Sequence, residues 1–433
     1  MRDILPDRMG VRQYAIGVLR ETFERFGFQP LETPAMEYAE TLTGKYGEEA
    51  DRLLYQFEDR GGRRVGLRYD LTVPLCRVVA SYPELPRPFK RYQIAPVWRA
   101  EKPQKGRYRE FWQCDVDTVG SASMLADAEL LGVATSALRR LGFASFRIKL
   151  NNRKLLVALA EYAGVPPAQA GGVYRAIDKR EKVGVEAVEK ELLEEGLPLA
   201  AARRLLELVQ LRSDNATDLL AEVRRQLADY PLGVEGTNEL EEVMRYAEAL
   251  GVTAEECQID LGMVRGLEYY TGPILEAVVE RPRIGSLIGG GRYDRLVGLM
   301  GGGDVPATGL SFGLERLIDV LEELEMAPPE VRQRTAQVLV TVFGPETVAE
   351  SLRLAQELRS AGLRTEVYLG TDRLGAQLRY ASRRGIPFAV ILGPDEMAQG
   401  EVTMKAMTGE GQERVPRAEV GAWLRKQVGA AAS

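Results

Sequence analysis

Residues 89–120 combine side chains that could together bind a charged, flat ligand. The stretch reads FKRYQIAPVWRAEKPQKGRYREFWQCDVDTVG, in which two arms alternate apolar and polar residues around a basic loop at 102–109. This alternation predicts two strands, and the loop between them predicts an antiparallel hairpin. Side chains at i, i+2 and i+4 share one face of a strand. One face would therefore carry a guanidinium, an aromatic ring, an amide and two carboxylates, from Arg99, Phe111, Gln113, Asp115 and Asp117.

Such a face could bind an anion at Arg99, a flat ring against Phe111 and an ammonium group near Gln113 and Asp117. An ordinary solvated sheet face beside a basic turn would have the same pattern. The hairpin alone leaves both interpretations open.

Candidate partners for this face come from distant parts of the chain. Asp70 precedes a predicted helix that begins near Thr72, so it could bind a ligand or cap that helix. Arg316 lies early in another predicted helix, where its guanidinium and the helix N-terminus could jointly hold a phosphate. A surface arginine paired with an acidic neighbour is the alternative for Arg316. Arg265 follows a predicted strand.

Two further segments are rich in tyrosine and glycine. Tyr269 and Tyr270 are adjacent, and on a strand they would point to opposite faces, so that one would lie in a site and the other in the core. Residues 289–291 are three glycines that precede Arg292 and Tyr293. This run fits neither the Walker pattern nor a dinucleotide fingerprint, and a tight turn before a helix would explain it equally well.

The composition limits the chemistry that the chain can perform. With 433 residues, of which 45% are hydrophobic and 28% charged, the chain has the composition of an ordinary globular protein of two or three domains. It contains no histidine, which removes the usual general base near neutral pH and the commonest metal ligand. Catalysis would therefore rest on arginine, lysine, carboxylates, backbone groups or the substrate itself, and we expect no metal bound by protein side chains.

Charge, cysteine spacing and hydropathy narrow the range of partners and compartments. The formal net charge of −6 argues against binding nucleic acid by bulk electrostatics, although local basic patches could still bind it. The three cysteines are far apart and form no CxxC pair, so neither a disulfide framework nor a zinc site is expected. No apolar run approaches the roughly 20 residues of a membrane span. We therefore expect a cytoplasmic protein with neither a membrane nor DNA as a partner.

The remaining segments differ in their sequence patterns. An amphipathic helix is predicted over residues 7–26, with Asp7 as its N-cap, and a second hairpin over residues 53–77. Residues 153–250 have helical spacing and few strand signals, which predicts a helical insertion within a larger domain.

The C-terminal part, after a predicted linker at 326–335, alternates apolar strands with helices. This β-α-β-α-β order predicts a compact α/β domain with a mostly parallel sheet. Its basic helix is the predicted nucleic-acid patch, with Arg373, Arg379, Arg383 and Arg384.

Several of these segments match the motifs of a known enzyme family. GFQPLETPAME, with Pro34, resembles motif 1 of the class II aminoacyl-tRNA synthetases, WRAEKPQKGRYREFWQ resembles motif 2, and GLSFGLERL resembles motif 3. VRGLEYYTG and GGGRYD resemble the two signatures that are specific to histidyl-tRNA synthetases. Residues 336–433 resemble the anticodon-binding domain that several class II enzymes share. The resemblance to histidyl-tRNA synthetases covers the whole chain.

The resemblance implies an α+β catalytic domain and a second, α/β domain. The catalytic domain, residues 1–325, would be built on a mixed, largely antiparallel class II sheet with the helical insertion at about 153–250. The linker at 326–335 would lead to the anticodon-binding α/β domain at 336–433. A homodimer formed through the motif 1 region is also implied.

The resemblance also implies a reaction and the residues that perform it. ATP, with Mg²⁺, would activate L-histidine to histidyl-adenylate and release pyrophosphate, and the histidyl group would then pass to tRNA(His) with release of AMP. The implied catalytic residues are Arg99 and Arg265. The implied ATP-binding residues are Arg99, Glu101, Arg107, Phe111 and Arg316. The implied histidine-binding residues are Asp70, Gln113, Asp117, Tyr269, Tyr270 and Tyr293. The implied tRNA-binding residues are Gln104, Arg383 and Arg384.

Two other functions remain open for a chain with these motifs. One is a non-catalytic, histidine-binding paralogue such as the regulatory subunit of ATP phosphoribosyltransferase, which usually lacks the C-terminal domain and departs from the arginine signature. This chain has both Arg265 and the 336–433 segment. The other is a paralogue that activates another amino acid. That alternative depends on Glu268, which stands where the family usually has aspartate.

Overall fold

The computed structural model describes most of the chain as two compact units. The described residues are 1–47, 51–102, 104, 106–166, 169–213, 215–264, 269–328, 331, 336–370, 372–408 and 411–430. One unit comprises Met1–Ile4 and Val11–Ala327, and the other comprises Leu5–Gly10 and Pro328–Ser433.

The larger unit contains eleven of the strands in the described ranges. In chain order these are β1 Gln29–Pro30, β2 Met36–Tyr38, β3 Gln56–Glu58, β4 Arg64–Leu67, β5 Phe89–Trp98, β6 Glu110–Val119, β7 Arg147–Asn152, β8 Cys257–Ile259, β9 Pro273–Val278, β10 Ile288–Arg292 and β11 Ala307–Gly313. Eight of them form one sheet with the order β1-β5-β6-β11-β10-β9-β7-β8, and the other three form a small sheet with the order β2-β4-β3.

The large sheet is mixed and largely antiparallel, which confirms the predicted fold class. Its β1–β5 and β7–β8 pairs are parallel, and the five pairs between β5 and β7 are antiparallel. The hairpin predicted around the basic loop is formed by β5 and β6. Cys114 and Val116, which alternate with the polar residues of β6, are fully buried. The apolar side of the strand therefore lies in the core, and its polar side is left for a site.

The helices that precede residue 327 cover the sheet and form the insertion. They are α1 Pro6–Arg25, α2 Ala39–Leu42, α3 Thr72–Ser81, α4 Met124–Arg140, α5 Arg153–Tyr162, α6 Ala170–Asp178, α7 Arg180–Val183, α8 Val185–Glu194, α9 Leu199–Val209, α10 Ala216–Gln226, α11 Pro231–Ala249 and α12 Leu314–Glu323. The seven helices α5 to α11 follow one another without a strand in the described part of 153–250. Helices α4, α11 and α12 pack against strands of the large sheet.

Polar side chains determine where several of these helices begin. Ser123, Asn152 and Asn215 precede α4, α5 and α10, and each accepts a hydrogen bond from a backbone N–H of the first turn. The N-cap predicted for α1 is wrong, because the helix begins at Pro6 and Asp7 lies inside its first turn. Proline is favoured at the first helical position, where its missing N–H costs no hydrogen bond.

Asp260 connects the insertion to the end of β8. Its carboxylate forms ion pairs with Lys149 on β7, with Arg180 on α7 and with Arg212, at 3.3, 3.4 and 3.1 Å. Burial would raise the pKa of Asp260, but the charges of these three cations outweigh it and lower the pKa below its usual value of 3.8.

The smaller unit contains a five-stranded sheet with the order β13-β12-β14-β15-β16. Its strands are β12 Val338–Val340, β13 Thr365–Val367, β14 Phe388–Ile391, β15 Glu401–Ala406 and β16 Gln412–Pro416, and its helices are α13 Pro345–Ser360, α14 Leu374–Arg383, α15 Pro394–Gln399 and α16 Val420–Ala430. The first three strands are parallel, as predicted. The prediction of a mostly parallel sheet is wrong, because β15 and β16 add two antiparallel pairs.

Two other findings bear on the sequence predictions. All three cysteines are buried and unpaired, so the chain has no disulfide. Among the described residues, no helix combines the length and the apolar character needed to cross a membrane.

Candidate active site

The larger unit contains a cavity of about 370 Å³ above the polar face of β6. All the residues implied for ATP and histidine, apart from Arg265, line it together: Asp70, Arg99, Glu101, Arg107, Phe111, Gln113, Asp117, Tyr269, Tyr270, Tyr293 and Arg316. The alternative of a solvated sheet face is wrong for this strand, because Gln113, Asp115 and Asp117 are only 9%, 1% and 2% exposed.

Three arginines form the cationic part of the cavity lining. Arg316, in the first turn of α12, donates from Nε to the Gly106 carbonyl at 3.0 Å and from Nη1 to the Ser286 carbonyl at 2.6 Å. Burial and the positive charges of Arg107 and Arg99 lower the pKa of Arg316. A cluster of three guanidiniums on one cavity lining is complementary to a polyanion such as a chain of phosphates.

Arg99 is oriented by aromatic rings as well as by a hydrogen bond. Its Nε donates to the Tyr69 carbonyl at 3.1 Å. Its Cζ lies 4.2 Å from the ring centroid of Tyr69 and 5.0 Å from that of Phe111. These cation–π contacts hold the guanidinium in place, and both Arg99 and Phe111 line the cavity.

Asp70 lies in the acidic part of the lining and accepts three hydrogen bonds. Its Oδ1 accepts from the Val73 N–H and from the Tyr46 hydroxyl, both at 3.0 Å, and its Oδ2 accepts from the Tyr269 hydroxyl at 3.4 Å. It therefore accepts from a backbone N–H in the first turn of α3, as the capping interpretation predicted, and it also faces the cavity, so a ligand-binding role stays a prediction. Burial raises its pKa.

Asp117 is oriented by contacts from three other strands or segments. Arg91, opposite it on β5, forms an ion pair with its Oδ2 at 2.8 Å, and the Tyr293 hydroxyl donates to its Oδ1 at 2.5 Å. Gly309, opposite it on β11, leaves the space that the carboxylate occupies, since a Cβ there would lie 1.9 Å from Oδ1. Burial raises the pKa of Asp117, and the charge of Arg91 opposes that rise.

The tyrosine and glycine segments differ from their predictions. Tyr269 and Tyr270 belong to no strand, and both line the cavity, with ring centroids 5.0 Å apart. Strand alternation therefore does not apply to them. The glycines at 289–291 lie within β10 and not in a turn. A Cβ on Gly290 would lie 2.3 Å from the Gly309 carbonyl oxygen, so the close approach of β11 requires glycine there.

Four predicted site residues, and Glu268 with them, lie away from the cavity lining or outside the described residues. Gln104, in the basic loop, is exposed and pairs through its backbone with Arg107. Arg383 and Arg384 are exposed at the C-terminal end of α14 in the smaller unit. Arg265 and Glu268 lie outside the described residues.

The sequence prediction missed three residues that shape the site: Arg91, Gly309 and Ser311. Each faces a site residue from a neighbouring strand, and the register that pairs them is set by the folded sheet. The alternation of β5 places Arg91 in phase with Val97 and Arg99, which was the one signal available for it.

Comparisons with known proteins agree over nearly the whole chain. A family model described as histidyl-tRNA synthetase matches residues 1–317, and one described as anticodon binding domain matches residues 337–427. The curated histidine–tRNA ligase of Gloeobacter violaceus is 42% identical over 97% of this chain and 96% of its own length, and that of Aeropyrum pernix is 46% identical over 94% and 93%. The crystal structure of histidyl-tRNA synthetase from Nostoc sp. PCC 7120 has a TM-score of 0.86 and 32% identity, covering 98% of this chain and 97% of its own.

Proposed function

Because the chain belongs to the histidyl-tRNA synthetase family, we propose that the cavity above β6 is the site where histidine reacts with ATP. The chain is an aminoacyl-tRNA synthetase that charges tRNA with histidine, and its substrates are histidine, ATP and tRNA. The observation that carries the assignment of the site is the arrangement of one cavity with an arginine cluster in one part and buried carboxylates in another.

The arginine cluster would bind ATP. Arg99 would contact the α-phosphate, and Arg107 and Arg316 the β- and γ-phosphates. Phe111 would stack on the adenine and Glu101 would accept a hydrogen bond from it. The lowered pKa of Arg316 supports this assignment, because phosphate would relieve the repulsion among the three guanidiniums.

The acidic part would bind histidine. Asp70, Gln113 and Asp117 supply acceptors for its α-ammonium, and Tyr269, Tyr270 and Tyr293 supply an aromatic surface for its imidazole. The Tyr269 and Tyr293 rings are 5.9 Å apart at their centroids, and both hydroxyls donate to the carboxylates beside them.

The proposed chemistry needs no protein histidine. The carboxylate of the substrate attacks the α-phosphorus, a new P–O bond forms, and pyrophosphate leaves. Positioning of the two substrates and cationic stabilisation of the phosphorus would provide the catalysis. Arg99 and Arg265 are proposed to face that phosphorus. A terminal ribose hydroxyl of tRNA then attacks the adenylate carbonyl, and AMP leaves.

Magnesium is proposed to bind with the nucleotide. Within the described residues there is no group of three or more Asp, Glu, Cys or His side chains that could hold a metal. Phosphate oxygens of ATP would thus be the main ligands, which is the usual mode of Mg²⁺ in nucleotide sites. The ion would neutralise charge on the β- and γ-phosphates.

The proposed domains are a catalytic domain at 1–325 with an insertion at about 153–250, a linker at 326–335 and an anticodon-binding domain at 336–433. The match of residues 337–427 to the anticodon-binding family model supports the last. Gln104, Arg383 and Arg384 are proposed to contact tRNA, since all three are exposed and two carry a positive charge.

A homodimer through the motif 1 region is also proposed. Apolar side chains of the small sheet and its surroundings are half exposed, with Met36, Tyr38, Phe57 and Tyr82 between 46% and 52%. Contiguous apolar surface of this kind often marks a protein interface. Sedimentation analysis of Tyr38→Glu, expected to be monomeric, tests this.

We propose that the enzyme works in the cytoplasm, where aminoacyl-tRNA is used.

The alternatives drawn from the sequence are not favoured. Curated histidine–tRNA ligases match the chain over more than nine-tenths of both lengths, and the chain includes the anticodon-binding segment. A regulatory paralogue without tRNA charging, or a paralogue for another amino acid, would not be expected to match in this way.

ATP–pyrophosphate exchange with each standard amino acid tests the proposed site. Exchange is expected with histidine alone, and Arg99→Lys should lower its rate about 100-fold, the cost of removing one transition-state donor. Arg25→Lys, an exposed ion-paired arginine of α1, is the matched control and should leave the rate unchanged. Histidine binding without exchange would indicate a regulator. Exchange with another amino acid would refute the assigned specificity.

A further inference from the structure

Three buried carboxylates share the acidic part of the cavity with one buried guanidinium. Asp70, Asp115 and Asp117 are 2%, 1% and 2% exposed, and Arg91 is fully buried beside them. Arg91 also donates to the Leu71 carbonyl at 3.0 Å, which ties it to the segment that carries Asp70. Arg99 approaches Asp70 from the cationic part and opposes the rise of its pKa.

The three carboxylates differ in how their oxygens are used. Both oxygens of Asp70 accept hydrogen bonds. Asp117 Oδ1 accepts from Tyr293, and its Oδ2 is ion-paired with Arg91 at 2.8 Å but accepts no hydrogen bond from the described residues. Asp115 hydrogen-bonds to the Ser311 hydroxyl, but its Oδ1 is buried without a hydrogen-bond partner among the described residues. A buried acceptor left in this state is costly unless a ligand completes it.

A second free acceptor lies beside it. Gln113 Oε1 is also buried and has no hydrogen-bond partner in the described ranges, while its Nε2 donates to the same Ser311 hydroxyl at 2.9 Å. Ser311 therefore joins Gln113 and Asp115 into one group on the cavity lining. Two free acceptors, one of them a carboxylate oxygen, are complementary to an ammonium group, which has three donors and no acceptor.

We propose that Asp115 is a further substrate-binding residue, whose Oδ1 accepts a hydrogen bond from the α-ammonium of histidine together with Gln113 Oε1. This inference rests on the proposed function of the cavity. It adds Asp115 to Asp70, Gln113 and Asp117, the residues already proposed to contact the ammonium.

The electrostatics of Asp115 provide a second signature. Burial raises the pKa of Asp115 to about 8, the charge of Arg91 opposes this rise, and Asp117 adds to it. The titratable and charged groups close enough to Asp115 to interact with its charge are Arg68, Asp70, Arg91, Asp117 and Tyr270, together with Cys114 on the other side of β6. A cation bound at Oδ1 favours the ionised carboxylate, so binding of the ammonium releases a proton.

Asp115→Asn is the first test, because the amide keeps the shape and removes the charge. In pyrophosphate exchange the variant should raise the KM for histidine at least about 10-fold, the loss expected for one charge-assisted hydrogen bond, and change the KM for ATP less than about 2-fold. Glu129→Gln, an acid-to-amide change in a surface ion pair with Lys90, should change neither value. Equal loss for both substrates, or no loss for histidine, would overturn the proposal.

Two unreactive ligands show which group of histidine is recognised. Histidinol keeps the ammonium and the imidazole, and imidazolepropionate lacks the ammonium. Asp115→Asn should weaken inhibition by histidinol about 10-fold and leave inhibition by imidazolepropionate within about 2-fold. Equal weakening of both would place Asp115 at the imidazole and refute the assignment to the ammonium.

Calorimetry of histidine binding at pH 8, in buffers of different ionisation enthalpy, measures the released proton. Wild type should release roughly half a proton more than Asp115→Asn, because a group with a pKa near the working pH is half protonated. No difference would contradict the proposal.

If Asp115→Asn does not fold, Ser311→Ala serves instead, with an expected several-fold rise in the KM for histidine alone. Absence of histidine exchange in wild type would refute the proposed function itself.

Discussion

Gly309→Ala should damage histidine binding while the rest of the site stays intact. Gly309 lies on β11 directly opposite Asp117, and an added Cβ would lie 1.9 Å from Oδ1 and 2.5 Å from Cγ of that carboxylate. Real Cβ contacts are essentially never below 3.0 Å, so the carboxylate would move by at least 1.1 Å, the difference between 3.0 and 1.9 Å.

That displacement is large compared with the tolerance of the contacts it breaks. Asp117 is bound by Arg91 at 2.8 Å and by Tyr293 at 2.5 Å, and a shift of 1.1 Å cannot keep both. Each charge-assisted contact contributes about 1.5–3 kcal/mol. Losing both contacts would cost about 3–6 kcal/mol of the free energy that orders the site. Even the lower value corresponds to about a 100-fold loss in kcat/KM for histidine.

The assay is pyrophosphate exchange with histidine and ATP varied separately. Gly309→Ala should lower kcat/KM for histidine about 100-fold and change the KM for ATP less than about 3-fold. Circular dichroism checks that the variant is folded. Gly17→Ala, where a Cβ meets nothing within 4 Å, is the control, and it should stabilise α1 by about 0.5–1 kcal/mol with unchanged kinetics. A folded Gly309→Ala enzyme with a histidine KM within about 3-fold of wild type would show that Asp117 is not displaced as predicted.

Three further outcomes are expected. Glu315→Gln leaves Arg12, the buried ion-pair partner of Glu315 at 3.0 Å, without a counter-charge. The variant should therefore lower the free energy of unfolding, measured by urea titration, by about 3–5 kcal/mol. A loss below about 1 kcal/mol would contradict this prediction. Asp260 has a lowered pKa in the folded protein, so its ionised form contributes stability above pH 3.8, and this stability is lost as the pH falls through the folded pKa. Asp260→Asn should therefore lower the free energy of unfolding at pH 7 by about 1–3 kcal/mol and make the urea midpoint depend less on pH on the acid side. An unchanged pH profile of the urea midpoint would contradict this prediction. Arg383→Ala with Arg384→Ala should raise the KM for tRNA several-fold in aminoacylation and leave pyrophosphate exchange unchanged, whereas an equal effect on both assays would count against tRNA contact.

Local sequence patterns were sufficient to predict several parts of this site. Alternation along β6 is a property of the strand backbone, so Phe111, Gln113 and Asp117 could be assigned to one face before any fold was known. The same holds for Arg316 at the start of α12, because amphipathic spacing marks the helix. The family motifs then brought these local predictions together into one site.

The contacts between residues of different strands could not be predicted in this way, because they depend on the folded sheet. Arg91, Gly309 and Ser311 face the site through sheet register, which depends on how β5, β6 and β11 pair. Tyr269 and Tyr270 both line the cavity because their segment is not a strand, a choice that local alternation could not reveal. The Asp115 oxygen without a hydrogen-bond partner likewise could not be predicted from the sequence. Whether both oxygens of a buried carboxylate have hydrogen-bond partners depends on all the residues that folding places beside it. The sequence does not show which residues these are or how far away they lie.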